Sequence, residues 1–215
     1  MAKKNGPDIS RRKTNPEVPK RTFLIFEDGG GDQRSSLNPA GNVVWFDSLK
    51  SGRRAKKPAK KPRLQVAPPL PRVEDMPWCG MAYVVSKQFR RLLEAEAPGH
   101  AQFFEAEVSG PKKLLQTLAP ALPYYIVNWL HIIDCIDLKK SEFEVDEEPG
   151  EEPDYTFFRL VLDPVKVPDD VQIFRLKRDV TTTLIDSRLV RKIKHAGITG
   201  PQFHKVQGLM DALGL

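Results

Sequence analysis

The chain has 215 residues, 40% of them hydrophobic, which is enough to bury a substantial core in one large domain or in one domain plus a tail. No apolar run approaches the roughly 20 residues of a membrane span, and the first 20 residues lack the apolar centre of a secretory signal. We therefore expect a cytoplasmic protein with no membrane segment. Its two cysteines, Cys79 and Cys135, allow at most one disulfide and exclude a disulfide framework.

The formal net charge of +6 is unevenly distributed along the chain. Residues 1–63 hold 16 Lys and Arg against 6 Asp and Glu, whereas residues 64–215 hold 18 against 22. The basic excess lies in the opening arm and in residues 50–63, "KSGRRAKKPAKKPR", whose composition is typical of a solvated, mobile loop.

Attraction to nucleic-acid phosphates is the alternative role for this basic segment. The side chains that would make such contacts are Arg53, Arg54, Lys56, Lys57, Lys60 and Lys61. However, no aromatic residue lies within the segment to stack on a base, and no nucleic-acid-binding motif appears in the chain. Nucleic acid is therefore the less favoured partner.

The stretch "EFEVDEEPGEEPD", residues 142–154, places eight carboxylates in thirteen positions. Pro149, Gly150 and Pro153 interrupt it and its like charges repel one another, so a solvated loop is the simplest interpretation. A loop of this charge agrees with its surroundings, because residues 64–215 are acidic as a whole.

The hydrophobic pattern predicts short strands separated by turn-rich segments. Strands are expected at residues 22–26, 42–46, 81–85, 101–108, 123–129, 155–162, 171–176 and 181–185. Residues 130–138 remain ambiguous between strand and helix.

Three helices are predicted between these strands. Ser86 caps the helix at residues 87–97, and Ser109 or Gly110 caps a short helix that has Pro111 in its first turn. The third helix covers residues 187–196, with Asp186 or Ser187 as its cap.

Two of these regions resemble each other at a constant offset of one hundred residues. Residues 84–103 align without a gap on residues 184–203, with identities at Arg91/Arg191, Gln102/Gln202 and Phe103/Phe203. The match predicts a recurring strand–helix–strand unit, while internal duplication and chance both stay open as its origin. The fold class expected is α+β, with a mixed or antiparallel sheet covered by a few short helices.

Three regions are expected in the domain organisation. Residues 1–20 form a basic, flexible arm, residues 21–80 hold the first strands with basic and proline-rich loops, and residues 81–215 form the main α+β domain. Core positions are the default for Trp45, Trp78 and Trp129.

The sequence contains no convincing catalytic, cofactor or metal site. His131 and Cys135 would share one face of a helix at zinc-ligand spacing, but no second pair completes a site. Residues 27–33, "EDGGGDQ", are glycine-rich but lack the spacing of a phosphate-binding loop. Asp163 reads as a turn residue before Pro164 rather than as a general base. We therefore expect a protein that is not an enzyme.

Five blocks within residues 84–206 occur in a distinctive order. They are "VVSKQFRRLLE", "QFFEAEV", "YYIVNWLHIIDCIDLKKSEF", "LVLDPVKVPDDVQIFRL" and "TTTLIDSRLVRKIKHAGITGPQFHKV". Together they resemble the eleventh immunity-protein family of bacterial polymorphic toxin systems. The resemblance implies a cytoplasmic antidote that binds and silences a cognate toxin encoded nearby.

If the toxin acts on nucleic acid, its cleft is basic, and carboxylates can occupy the positions of the phosphates. The resemblance thus gives the acidic stretch a second interpretation, as a toxin-binding surface. The residues expected to make this contact are Glu147, Glu148, Glu151, Glu152 and Asp154.

Overall fold

The computed structural model describes residues 21–28, 36–40, 43–67, 73–80, 82–147, 150 and 153–206, so the predicted arm at residues 1–20 lies outside it. These residues form the expected α+β fold. Its helices are α1 (Val43–Ser48), α2 (Lys87–Glu96), α3 (Lys112–Leu118) and α4 (Ser187–His195). Its strands are β1 (Phe23–Asp28), β2 (Ser36–Ala40), β3 (Arg63–Ala67), β4 (Tyr83–Val85), β5 (Ala101–Glu105), β6 (Glu107–Ser109), β7 (Tyr125–Trp129), β8 (Ile132–Ile133), β9 (Glu142–Asp146), β10 (Asp154–Arg159), β11 (Ile173–Leu176), β12 (Asp179–Asp186) and β13 (Pro201–Lys205).

The strands form four separate sheets in the described part of the chain. The largest has the order β13-β1-β12-β11-β8, two three-stranded sheets have the orders β4-β7-β5 and β2-β3-β6, and β9 pairs with β10. Most pairs are antiparallel, whereas β11 with β8 and β3 with β6 run parallel. The sheets are therefore mixed, as predicted.

The predicted strand–helix–strand recurrence is confirmed, and one further strand completes each unit. In the first unit, β4 and β5 leave a gap that β7 fills, pairing antiparallel with both. Ile126 of β7 stands opposite Val84 on one side and Phe104 on the other.

The second unit repeats this arrangement with β12, α4 and β13 around β1. Ile25 of β1 stands opposite Leu184 on one side and His204 on the other. These two partners lie one hundred positions after the partners of Ile126, so the sequence offset is preserved in the pairing register.

The central hydrophobic core joins the two units. It contains residues from α2, α4 and the sheets beside them, and the two helices pack against each other. Three pairs of its buried residues are separated by one hundred positions: Val85 and Ile185, Phe89 and Leu189, and Leu93 and Ile193. The units therefore bury equivalent side chains in one shared core.

Both predicted caps of the long helices are confirmed. The Ser86 hydroxyl accepts from the Phe89 N–H at 3.2 Å, and Asp186 accepts from the Arg188 N–H at 2.8 Å. The cap predicted for α3 is wrong, because Pro111 holds the capping position with no side-chain hydrogen bond. Asp163 accepts from the Val165 N–H at 3.2 Å, which confirms its assignment to a turn.

Two strand predictions are wrong in a physically informative way. Residues 43–46 have strand-forming side chains but begin α1, where Phe46 is buried and Trp45 packs edge-on against Phe104 at 5.0 Å. Burial of these rings outweighs the local preference. The predicted strand at 101–108 divides at Ala106, whose N–H donates to the Tyr124 carbonyl, so that β5 and β6 join different sheets.

Candidate functional site

The described ends of the acidic stretch lie in paired strands, which corrects the expectation of a loop for residues 142–146 and for Asp154. Strands β9 and β10 pair antiparallel, with Asp146 opposite Asp154 and Glu144 opposite Thr156. Since like charges directly across a strand pair are destabilising, this arrangement does not serve the stability of the hairpin.

Aromatic residues anchor the inner face of the hairpin to the large sheet. The rings of Phe143, Tyr155 and Phe157 lie 5.6–5.8 Å apart, and Phe157 is buried in the core cluster that also contains Phe174 of β11. Arg178, in the turn after β11, donates to the Tyr155 hydroxyl at 2.8 Å. The hairpin therefore has a fixed base.

The carboxylates project from this base into solvent. The exposed acidic residues of the hairpin are Glu142, Glu144, Asp146, Glu147 and Asp154. Among them, within the described residues, only Glu142 has an ion pair, with Arg159 at 2.8 Å. The surface that they form, which we call the acidic hairpin, thus carries negative charge that its own neighbours leave largely uncompensated.

The five predicted toxin-binding residues are only partly placed by the structure. Glu147 and Asp154 are exposed at the end of the acidic hairpin, whereas Glu148, Glu151 and Glu152 lie outside the described residues. The structure adds Glu144 and Asp146 to the same surface. Strand alternation was the signal available for them, because "EFEVD" has a carboxylate at every second position.

An exposed aromatic residue on the hairpin was missed from the sequence. Phe158 is 37% exposed, because successive strand residues point to opposite faces and its neighbour Phe157 is buried. The strand pairing shifts between Phe157 and Arg159, so Arg159 is exposed as well. Val145 is similarly exposed, at 38%, so apolar groups lie among the carboxylates.

The basic segment keeps its charges in solvent but its backbone is anchored. All six side chains named from the sequence are exposed. The Asn128 amide donates to the Arg53 carbonyl at 2.8 Å, and the Gln102 amide both donates to and accepts from the backbone of Ala55, each at 3.0 Å. Two buried or half-buried amides therefore hold a segment that its composition predicts to be mobile.

A groove of about 510 Å³ runs beside the basic segment. Its basic side chains are Lys57, Lys61 and Arg90, and the Arg90 guanidinium lies over the ring of Tyr125 at 4.4 Å and that of Phe103 at 5.5 Å. The aromatic rings absent from the segment itself are thus supplied by β5 and β7. Part of the charge is compensated, because Lys61 forms an ion pair with Glu105.

Residues 131–135 do not form a helix, so His131 and Cys135 do not share a helical face. His131 immediately precedes β8 and stacks edge-on against His100 at 4.7 Å, and burial raises the pKa of the Cys135 thiol to about 12. No group of three or more potential metal ligands occurs within the described ranges. Cys79 and Cys135 belong to different core clusters.

The three tryptophans have different environments. Trp129 is fully buried and Trp45 is half-buried, as the core default predicts, but Trp78 is 39% exposed, so the core assignment is wrong there. In the described part of the chain, no helix is long and apolar enough to cross a membrane.

An anchored scaffold that presents concentrated, exposed charge is typical of proteins that bind a charged macromolecular partner. The family comparison agrees with this class: the model of the Immunity protein family (Imm11) matches residues 11–208. The chain therefore belongs to the Imm11 immunity proteins of toxin systems. The match confirms the resemblance seen over residues 84–206 and extends it through the basic segment. Comparison with curated proteins finds no match.

Proposed function

We propose that this protein neutralises one cognate toxin by direct contact in the cytoplasm, without catalysing a reaction. The observation that carries this proposal is the family match over residues 11–208, together with the anchored acidic hairpin in the folded chain. An antidote of this kind needs a stable scaffold and a complementary surface rather than an active site.

The acidic hairpin is the proposed toxin-binding surface. Its carboxylates would occupy phosphate positions in the basic cleft of a toxin that acts on nucleic acid, such as a nuclease. The contact residues are Glu147, Glu148, Glu151, Glu152 and Asp154 from the sequence, with Glu144 and Asp146 from the structure. The aromatic base supports this proposal, because a preorganised surface loses less conformational freedom on binding.

Charge and apolar contact would contribute differently to this interface. Exposed carboxylates at the rim accelerate association and make it dependent on salt, whereas affinity concentrates in a few buried aromatic anchors. Phe158 is the aromatic side chain that the hairpin exposes, so it is the proposed anchor. Removing it should change the dissociation rate more than the association rate.

The first experiment tests whether a partner exists. The neighbouring reading frame should encode a larger protein with a toxic C-terminal domain, and co-expression of the present chain should restore growth. Growth arrest that persists despite expression of folded protein would argue against the antidote role.

The second experiment tests the surface. Glu147→Lys with Asp154→Lys should slow association with the toxin domain at least tenfold in 50 mM salt and much less in 500 mM. The control, Asp169→Lys with Asp170→Lys, makes the same change of charge at two exposed residues outside the hairpin. If both variants bind like the parent at both salt concentrations, the hairpin is not the interface. The further variants Glu148→Lys, Glu151→Lys and Glu152→Lys test the remaining predicted contact residues in the same way.

A second candidate function is nucleic-acid binding by the basic segment. The groove beside it favours this role, since Lys57, Lys61 and Arg90 adjoin the rings of Phe103 and Tyr125. Replacing Lys56, Lys57, Lys60 and Lys61 with Ala should then abolish a salt-dependent mobility shift of duplex DNA. No shift by the parent protein at low salt would exclude this function.

A further inference from the structure

A second pocket, of about 260 Å³, lies apart from the acidic hairpin, and Lys50 is the residue of the basic segment that lines it. Its wall combines apolar side chains with polar groups from β1, β11 and β12, and Trp78 forms part of its lining. The residues important for its chemistry are Asp28, Phe46, Lys50, Trp78, Arg175 and Thr181. Nothing in the proposed toxin contact uses this pocket.

The notable group in the pocket is the guanidinium of Arg175. The residue is only 5% exposed, and its Nη1 donates to the Leu49 carbonyl at 2.6 Å. Its Nε is fully buried and has no hydrogen-bond partner in the described structure. No carboxylate among the described residues lies within ion-pair distance of this guanidinium. A buried cation without a carboxylate partner costs free energy.

The one carboxylate of the pocket does not neutralise Arg175. Asp28 accepts from the Cys79 N–H at 3.0 Å, and burial raises the pKa of this carboxyl group, which favours its neutral form. Burial also lowers the pKa of Arg175, and the phenol of Tyr83, rather than Asp28, opposes that shift. The guanidinium therefore has charge and donor capacity available for a ligand.

We propose that this pocket is a binding site for a carboxylate, held by the Arg175 guanidinium. An oxyanion in the pocket would lie against Arg175, which forms part of the lining, and would compensate its buried charge. A carboxylate with an apolar body is favoured over a phosphate, because Phe46 and Trp78 provide ring surface while the pocket offers one buried cation. Lys50 is exposed at the same pocket and is partly compensated by Asp47 at 3.2 Å.

If Arg175 binds a ligand, replacing it should remove ligand binding without lowering the stability of the unliganded protein. Arg175→Met keeps a similar length and removes the buried charge, which offsets the loss of the bond to the Leu49 carbonyl, so the unliganded variant should be about as stable as the parent. The same variant should lose the ligand. A residue that only supported the fold would show the opposite behaviour, with lower stability on substitution and no ligand effect to lose.

The test uses sodium benzoate and sodium acetate as probes, with sodium chloride at equal ionic strength as the control. Benzoate should raise the Tm saturably, by about 5–10 °C at one hundred times its Kd, and acetate should act at higher concentration. Arg175→Met should abolish the shift. Trp78→Ala should weaken benzoate binding several-fold. Because Trp78 is exposed, this variant should fold, and it can test the pocket if Arg175→Met does not fold.

A Tm that responds to benzoate no more than to chloride would overturn the proposal, as would an undiminished shift in Arg175→Met.

The source of the natural carboxylate is identified by measuring the affinity for the toxin in saturating benzoate. Lower affinity supports a carboxylate side chain of the toxin as the ligand of this site. Unchanged affinity supports a free small-molecule carboxylate. This arm requires the toxin, whereas the Tm measurements do not, so failure of the antidote function leaves the test of the pocket intact.

Discussion

Ile25 and Ile126 occupy equivalent places in the two halves of the fold. Each lies in a strand that is inserted between the two strands of one strand–helix–strand unit. Their flanking partners, Leu184 and His204 for Ile25 and Val84 and Phe104 for Ile126, differ by one hundred positions on both sides. The inserted strand precedes its unit in one half and follows it in the other. The preserved register therefore favours one unit used twice.

This equivalence predicts similar and independent energetic roles for the two isoleucines. Ile25→Val and Ile126→Val should each lower the free energy of unfolding by about 0.5–1.5 kcal/mol, since each removes one buried methylene. The side chains belong to different core clusters, so the double variant should be additive within about 0.5 kcal/mol. Urea unfolding measures all three values. Strong coupling between the two sites would contradict the separation of the clusters.

Features with a local physical cause could be predicted from the sequence. Ser86 and Asp186 precede amphipathic segments, and both proved to be helix caps. Features decided by distant contacts could not be predicted. Trp45 and Phe46 lie in a helix rather than in the predicted strand, because their rings pack against residues that are distant in the sequence.

The candidate sites divide in the same way. The concentration of carboxylates at residues 142–154 was visible directly, but the pairing of β9 with β10 depends on tertiary packing. The pocket of Arg175 could not be predicted from the sequence. The arginine in "QIFRL" is unusual only because its buried Nε lacks a hydrogen-bond partner among the described residues, which the sequence does not show.

The two helix caps should differ in importance although they are equivalent in position. Ser86→Ala should cost about 1–2 kcal/mol, because the hydroxyl caps the helix and also donates to the Asp75 carboxylate at 2.5 Å. Asp186→Ala should cost about 3–5 kcal/mol, because the buried carboxylate also binds the Arg21 and Arg188 side chains. Chemical denaturation compares them. Equal losses would mean that the two arginines contribute nothing beyond the cap.

The contribution of Asp186 to stability should depend on pH. Burial alone would raise the pKa of this carboxyl group, but hydrogen bonds from Arg188 and Arg21 bring it below its ordinary value of 3.8. Because the folded-state pKa is lowered, the stabilisation is complete above the unfolded-state pKa, near the ordinary value of 3.8, and it is lost as the pH falls from there through the folded-state pKa. Asp186→Asn should therefore show a weaker decline in stability below pH 4 than the parent.

Substitutions at two glycines should distinguish the cost of a left-handed backbone from the cost of a steric clash. Gly197 and Gly200 both have positive φ, 68° and 103°, but a Cβ at Gly197 meets no atom within 4 Å, whereas one at Gly200 would lie 2.2 Å from the Met76 carbonyl oxygen. Gly197→Ala should cost about 1–2 kcal/mol for the left-handed backbone alone. Gly200→Ala should cost roughly 3–5 kcal/mol, because backbone must move. Similar losses in thermal unfolding would contradict the close approach of residue 200 to Met76.

His131 should make the protein less stable in mild acid. Burial, aided by the neighbouring His100, lowers the pKa of His131 below its ordinary value of 6.5, while Asp170 opposes the shift. The unfolded chain therefore binds a proton at a pH where the folded chain does not, and stability falls as the pH decreases below about 6.5. His131→Gln should flatten this part of the Tm profile, and the exposed control His195→Gln should not. Parallel profiles for all three proteins would remove His131 as the cause.

The facing carboxylates of the acidic hairpin predict opposite effects on stability and on binding. Asp146 lies directly across from Asp154, and neither has an ion pair within the described residues. Asp146→Asn should raise the free energy of unfolding by about 0.2–1 kcal/mol at low salt, and high salt should erase the gain, because the relieved repulsion is between exposed charges. The same variant should slow association with the toxin, since it removes part of the field that attracts a basic cleft. Thr156→Asn, on the same face but without a change of charge, is the matched control. A loss of stability in Asp146→Asn, or a gain that does not depend on salt, would show that the two carboxylates do not repel each other and would remove this argument for a functional hairpin.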